Sequence, residues 1–389
     1  EMRHPDGGFF SSQDADSEGE EGKFFAWSRE EFVAAVEPAV GEPTVADAVA
    51  EYFGVVPDGN WEEGKNVLWT PVPLERVAEE AGVPPRRLRQ AVEDAKRVLF
   101  EIRDKRLHPA TDDKVLASWN GLAISALAEA GRALDSQRYV GAAVTAADFV
   151  LSRLRRDDGR LLRAWRDGRT SGPAYLDDYA LLADACLTLY ETTFDVRFFH
   201  EARSLCDDIL RLFRDVDGGG FFQTGSDAES LVVRPKDLFD NAVPSGNSVA
   251  AMVLQRLALL TGETEYEQAG VSALRLVRDF MERSPTGFGH ALCALDFYLS
   301  PVREVAIVGE PSGEDTRRLI GELHHRFVPN AVLAVGRPED GAKLEVELLR
   351  DRLMRDSKAT AYVCERFVCQ QPVTEQEELR RQLEGAPPV

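Results

Sequence analysis

The chain has 389 residues, enough for more than one packed unit, of which 44% are hydrophobic and 29% charged. Its formal net charge is −21, from 67 acidic against 46 basic residues; so acidic a surface repels nucleic acid and anionic membranes, and neither is expected as a partner. Only eight of the basic residues are Lys, a bias that points to a halophilic or high-GC prokaryotic source. No apolar run approaches the roughly 18 residues of a membrane span, so a cytoplasmic location is expected.

In chain order, Asp6-Gly7-Gly8-Phe9-Phe10 comes first. Glycine stops a helix in a left-handed conformation, and an aromatic after it packs back on the core. No helix precedes this return, so hairpins are expected to be missing before Glu1. Ser28-Arg29-Glu30-Glu31 is a capping box that opens a helix. A second helix is predicted over 43–53, a loop leading into a short strand over 60–69, and a long charged helix over 84–106. Residues 23–108 read as an insertion that covers the mouth or rim of the main fold.

A repeat begins at residue 115. Apolar residues occur almost all round 115–134, which means a helix buried on every side. The next helix, 137–154, has one apolar stripe and is an outer helix. The pattern recurs over 174–190 with a partner reaching Phe213, and over 249–260 with 266–281. Asp158-Gly159-Arg160-Leu161, Asp217-Gly218-Gly219-Gly220-Phe221 and Thr286-Gly287-Phe288 provide the returns, and a short helix follows over 289–299. Inner helix, outer helix and short return, repeated, make an (α/α) six-hairpin toroid, incomplete at its N-terminus and assigned to residues 1–300. After Pro301 a strand over 302–309, a helix over 313–326, and strands over 331–336 and 359–369 form a small α/β subdomain, 301–389. The turn between Gly309 and Gly313 lacks the Lys and glycine spacing of a phosphate loop and reads as an ordinary strand-to-helix turn.

Polar groups gather where each inner helix begins. Asp112-Asp113-Lys114, with Trp119 and Asn120, opens the first; Tyr175-Leu176-Asp177-Asp178-Tyr179 opens the second; Asp240-Asn241, with Asn247, opens the third. Asp113 and Asp177 are 64 residues apart, Asp177 and Asp240 63, so one shared concave site is expected. Asp113, Asp177 and Asp240 are the candidate catalytic carboxylates, since glycoside cleavage needs two across the scissile bond. Lys114, Trp119, Asn120, Tyr175, Asp178, Tyr179, Asn241 and Asn247 are the candidate substrate-binding residues. Helix starts also recruit Asp and Asn simply as caps, a competing account of the same residues.

Five Cys occur without a Cys-x-x-Cys, and Cys364 and Cys369 are expected as free thiols rather than a disulfide. The six His show no metal-ligand spacing. No metal and no cofactor is expected.

The run from Gly7 to Trp27, the Asp112–Gly121 and Asp240–Ser248 motifs, and Val363-Cys364-Glu365-Arg366-Phe367-Val368-Cys369-Gln370 together resemble the spermatogenesis-associated protein 20 family. Its prokaryotic members are thioredoxin-domain-containing proteins. The resemblance implies a thioredoxin-like domain ahead of the residues present here, then a toroid related in shape to glycosidases and N-acylglucosamine 2-epimerases. The expected function is a carbohydrate-active or carbohydrate-binding toroid that takes a small sugar-type ligand, with hydrolase or lyase chemistry ahead of epimerisation. The alternative is a non-catalytic scaffold serving the thioredoxin-like domain. Self-association through the open toroid edge is expected as well.

Overall fold

The computed structural model describes residues 1–229, 232–366 and 368–385, arranged as two compact units, Ser12–Asp112 and Glu1–Ser11 with Asp113–Val389. Phe367, within the predicted 359–369 strand, lies outside the described residues.

The smaller unit holds α1 (Arg29–Val40), α2 (Pro43–Tyr52), α3 (Leu74–Glu80) and α4 (Pro85–Arg103), with two short ladders: β1 (Ser12–Gln13) on β4 (Thr111–Asp112), and β2 (Asp16–Ser17) on β3 (Glu20–Glu21). The Ser28 capping box is formed, with Ser28 Oγ accepting the Glu31 amide and Glu31 accepting the Ser28 amide. Phe32, Val36, Val49, Leu88 and Ala95 fill a core separate from that of the rest of the chain. The strand expected within 60–69 is instead a loop held by one bridge between Trp27 and Asn66, with Asn60 and Asn66 side chains bonding its backbone. Two asparagines take up the polar groups that a ladder would have paired.

The larger unit is the helical repeat of a six-hairpin (α/α) toroid. After the short strand β5 (Val115–Leu116), inner helices α5 (Ala117–Ala133), α7 (Leu176–Thr193), α9 (Gly246–Thr261) and α11 (Gly289–Leu299) pack side by side in succession. Outer helices α6 (Gln137–Arg153), α8 (Val196–Leu212) and α10 (Thr264–Arg283) each back the inner helix before them. Two glycines let the inner helices close up. A Cβ on Gly121 would sit 2.7 Å from the Leu181 carbonyl group, and one on Gly246 2.9 Å from the Asp177 amide nitrogen. These contacts draw the starts of α5, α7 and α9 together, which is what places the polar helix ends in one neighbourhood.

Between α6 and α7 the return is a hairpin, β6 (Leu162–Arg166) and β7 (Arg169–Pro173), which extends the sheet begun by β5. Its turn residues Asp167 and Gly168 both have positive φ, +48° and +77°, as a two-residue Asp-Gly hairpin turn requires.

The α/β subdomain has strand order β11-β10-β8-β9, made of β8 (Arg303–Val308), β9 (Ala331–Gly336), β10 (Thr360–Glu365) and β11 (Val368–Cys369), with α12 (Glu314–His324), α13 (Asp340–Lys343) and α14 (Gln376–Leu383). β8 and β9 are parallel, joined through α12. Strand alternation splits the side chains of β8: Ala306 and Val308 join the helical core, while Val305 and Ile307 pack with Leu319 and Leu379 from the subdomain helices. The expectation of free thiols at Cys364 and Cys369 is corrected here. The two are cross-strand partners on β10 and β11, and they form a disulfide. Glu365 pairs with Val368, so what reads as one strand is two, and the pairing brings the sulfurs together.

Candidate functional site

The lengths of the connections locate the working face. Each inner helix passes to its outer partner through a short link, at 134–136, 194–195 and 262–263. The returns to the next inner helix are longer, at 154–175, 213–245 and 284–288. Long loops on one end of a rigid repeat are where binding residues are usually carried, and these lie at the inner-helix N-termini.

At the start of α7, Asp178 is fully buried. Its Oδ1 accepts the Ser118 amide of α5 at 3.1 Å, and its Oδ2 accepts the Tyr175 amide at 2.9 Å and an Arg163 N–H at 3.0 Å. Burial, with Asp177 beside it, pushes this carboxyl up to about 6, against the pull of Arg163. Asp177 is only partly covered. It pairs with Arg163 at 3.5 Å and accepts from Gln223 Nε2 at 3.4 Å, while the Arg163 guanidinium lies over the Tyr175 ring. Asp113 forms an ion pair with Arg166 of β6 at 2.6 Å. The backbone carbonyl of Lys114 accepts Ser11 Oγ, and the Lys114 side chain is exposed. Trp119 is 44% exposed, one residue beyond the amide that Asp178 binds.

Three of the sugar-binding candidates face into the fold. Asn120 accepts the Phe9 amide and donates to the Phe9 and Leu116 carbonyls. Asn247 does the same for Phe221, and also donates to the Asp237 carbonyl. In the middle repeat the hydroxyl of buried Tyr179 accepts the Leu161 amide and an Arg160 N–H. All three clamp the return strand that precedes the inner helix. This spends polar capacity that a ligand would need.

Asp240 is tied down too, accepting the amides of Ser245, His290 and Ala291, and so caps the start of α11. Asn241 is exposed and donates to the Phe239 carbonyl at 3.4 Å. Asp237, which no motif marks out, lies in the same loop. Partial burial raises its carboxyl above the usual range, and the charges of Asp177 and Asp240 raise it further. Asp177, Asp237 and Asp240 therefore share one acidic neighbourhood at the mouth. Asp113 pairs with Arg166 of β6.

Below the mouth, the concave wall carries a charged cluster. Arg256 of α9 lies between Asp184 (2.6 Å) and Glu191 (3.1 Å) of α7, and Ser125 of α5 donates to Asp184. Arg132 of α5 stands 3.9 Å from Glu191. The subdomain contributes His324, which donates from Nε2 to the Glu191 carbonyl and is held down to about 4 by burial. Arg132, Asp184, Glu191, Arg256 and His324, with His290, line a cavity of about 420 Å3. The sequence signal for them is charge on helices otherwise apolar all round, with Asp184 and Glu191 two turns apart on one face. Among the described residues no group of three or more His, Cys, Asp or Glu is placed to hold a metal ion.

No family model matches the chain. Among curated proteins, human spermatogenesis-associated protein 20 is 32% identical over 98% of this chain and 52% of its own length. The mouse protein of the same name is 32% identical over the same shares, and an uncharacterized Caenorhabditis elegans protein 28% identical over 97% of this chain and 55% of its own. Solved structures similar to this one include a cellobiose 2-epimerase from Bacillus thermoamylovorans, with 11% identity, a TM-score of 0.37, and coverage of 72% of this chain and 67% of that one. A GH76 alpha-mannanase from Bacteroides thetaiotaomicron gives 12%, 0.36, 71% and 84%. No helix of the described residues is long and apolar enough to cross a membrane. The chain spans about half the length of the curated relatives it matches, and over that half it belongs to the spermatogenesis-associated protein 20 family.

Proposed function

We propose that the mouth formed by the starts of α7, α9 and α11 binds a sugar-type ligand and cleaves a glycosidic bond in it. The observation that carries this is the grouping of Asp177, Asp237 and Asp240, with Asp237 raised and Asp177 paired with Arg163. Glycoside cleavage needs one carboxyl that keeps its proton and one that has lost it. Asp237 is the proton donor to the leaving oxygen, and Asp177, paired with Arg163, is the opposing carboxyl group. Asp240, fixed by three backbone amides, lies beside Asp237 and raises its carboxyl further. Asn247 donates to the Asp237 carbonyl and the Gln223 amide donates to the Pro235 carbonyl, which together hold the segment around Asp237. Exposed Trp119 offers a face on which a sugar ring can stack.

A second reading, a binding module without catalysis, draws on Asp178, Asn120, Tyr179 and Asn247, whose polar atoms are taken up by the fold. Binding to a glycan panel separates the sugar reading from other ligands. Wild-type chain should retain at least one glycan, and Trp119→Ala and Asp177→Ala should each weaken it tenfold or more. Retention of none, or retention indifferent to both substitutions, contradicts the sugar reading.

A further inference from the structure

The cavity below the mouth has charged groups with unused hydrogen-bonding capacity. Glu191 is a buried side chain, 7% exposed, and its Oε2 meets Arg256. Among the described residues its Oε1 is buried without a partner, as is Nε2 of His290. A buried carboxylate oxygen left without a donor is costly, and both residues line the cavity. Arg132 supplies the opposite requirement. Its guanidinium stands 3.9 Å from both Glu129 and Glu191, beyond hydrogen-bond distance, and is 27% exposed. Arg256 has no such freedom, because Asp184 and Glu191 saturate it.

The charges lining the cavity balance, with Glu129, Asp184 and Glu191 against Arg132, Arg256 and Arg326. A ligand with a net charge would upset that balance; a zwitterion does not. Beside the charged wall, Met252, Phe297, Leu323 and Leu333 give an apolar lining. A volume of about 420 Å3 falls in the range of small-molecule sites.

We propose that this cavity binds an α-amino acid with an apolar side chain. The carboxylate lies on Arg132, whose planar fork suits it. The ammonium pairs with the Glu191 carboxylate, and the side chain packs on Met252, Phe297 and Leu333. The carboxylate and ammonium of an α-amino acid sit on one carbon, which matches a guanidinium and a carboxylate that are already neighbours. Asp184 and Arg256 hold Glu191 in place and do not touch the ligand.

The test is calorimetric titration of the 389-residue chain with L-leucine, with isoamylamine, 4-methylpentanoate and glucose as comparison probes. L-Leucine should bind, and neither the amine nor the acid alone should bind within tenfold of it. Arg132→Gln breaks no hydrogen bond of the fold and should weaken binding at least tenfold with an unchanged melting temperature. Glu191→Gln should weaken binding as much, at a lower melting temperature because it unpairs buried Arg256; if it fails to fold, Arg132→Gln alone decides. Asp237→Asn, at the mouth, should leave L-leucine binding intact. Absence of L-leucine binding, binding indifferent to Arg132→Gln, or preference for glucose would each overturn the proposal. Glucose binding that is lost in Asp177→Ala but kept in Arg132→Gln would leave the mouth reading standing on its own.

Discussion

Asp178 of α7 accepts the backbone amide of Ser118 at the first turn of α5, 3.1 Å away, and so caps a helix in the neighbouring repeat as well as its own. One buried carboxylate locks two inner helices at the height of the mouth. Because burial raises its carboxyl to about 6, the folded chain holds this proton more tightly than the unfolded chain does. The stability it contributes is present below the ordinary carboxylate value and is lost as pH rises through about 6. The swing is on the order of 2–3 kcal/mol. Denaturant unfolding of wild type and Asp178→Asn at pH 4, 5, 6 and 7 checks it. The difference should move in favour of the variant as pH rises, and a difference flat with pH would contradict the assignment.

Asn247 and Asn120 are structural clamps. Asn247→Ala would leave the Phe221 amide, the Phe221 carbonyl and the Asp237 carbonyl without their partner. A cost of about 3 kcal/mol is expected for each clamp. Asn247→Ala should also loosen the loop bearing Asp237, whereas Asn120→Ala should not. Hydrogen exchange over residues 232–245 would read that contrast.

Arg256 and Arg132 should behave differently although both line the same cavity. Arg256→Met strands Asp184 and Glu191 in a buried setting and should cost about 3–5 kcal/mol. Arg132→Gln should cost well under about 1 kcal/mol, as loosely paired, partly exposed charges contribute little. Chemical denaturation of the two variants distinguishes a built ion-pair network from scattered surface charge.

The fold was legible because inner and outer helices bury different fractions of their circumference. Residues 174–190 are apolar all round, whereas 198–213 carry one stripe, and the two became α7 and α8. The β6–β7 hairpin was harder to read, since Asp167-Gly168 falls inside a segment that also works as a simple return. The site was legible only in outline. Composition places Asp and Asn at the helix starts, but it does not say which turn inward. Asp178, Asn120 and Asn247 serve the backbone, while Asp177 stays partly open. Asp237 carries no motif at all, and its character comes from neighbours distant in sequence.

The disulfide gives a further check. Burial raises the thiols of Cys186 and Cys206, while Cys293 is exposed. Native protein should label at Cys293 alone, denatured unreduced protein at three thiols, and reduced protein at all five. The Cys364–Cys369 bond closes only a short loop, so its removal should cost about 2 kcal/mol. Mass spectrometry after alkylation reads the labelling directly; five labelled thiols without reductant would contradict the pairing.

The central claim is that Asp237 gives a proton and Asp177 provides the opposing carboxylate at the mouth. It is tested most directly by glycan turnover, comparing wild type with Asp237→Asn and Asp177→Asn on a broad panel of glycosides. The account predicts turnover of at least one glycoside by wild type. It predicts a fall of about 10²- to 10⁴-fold in each variant, with melting temperatures nearly unchanged, since neither carboxylate is a buried cap. Turnover preserved in Asp237→Asn, or no turnover of any glycoside by the wild-type chain, would contradict it.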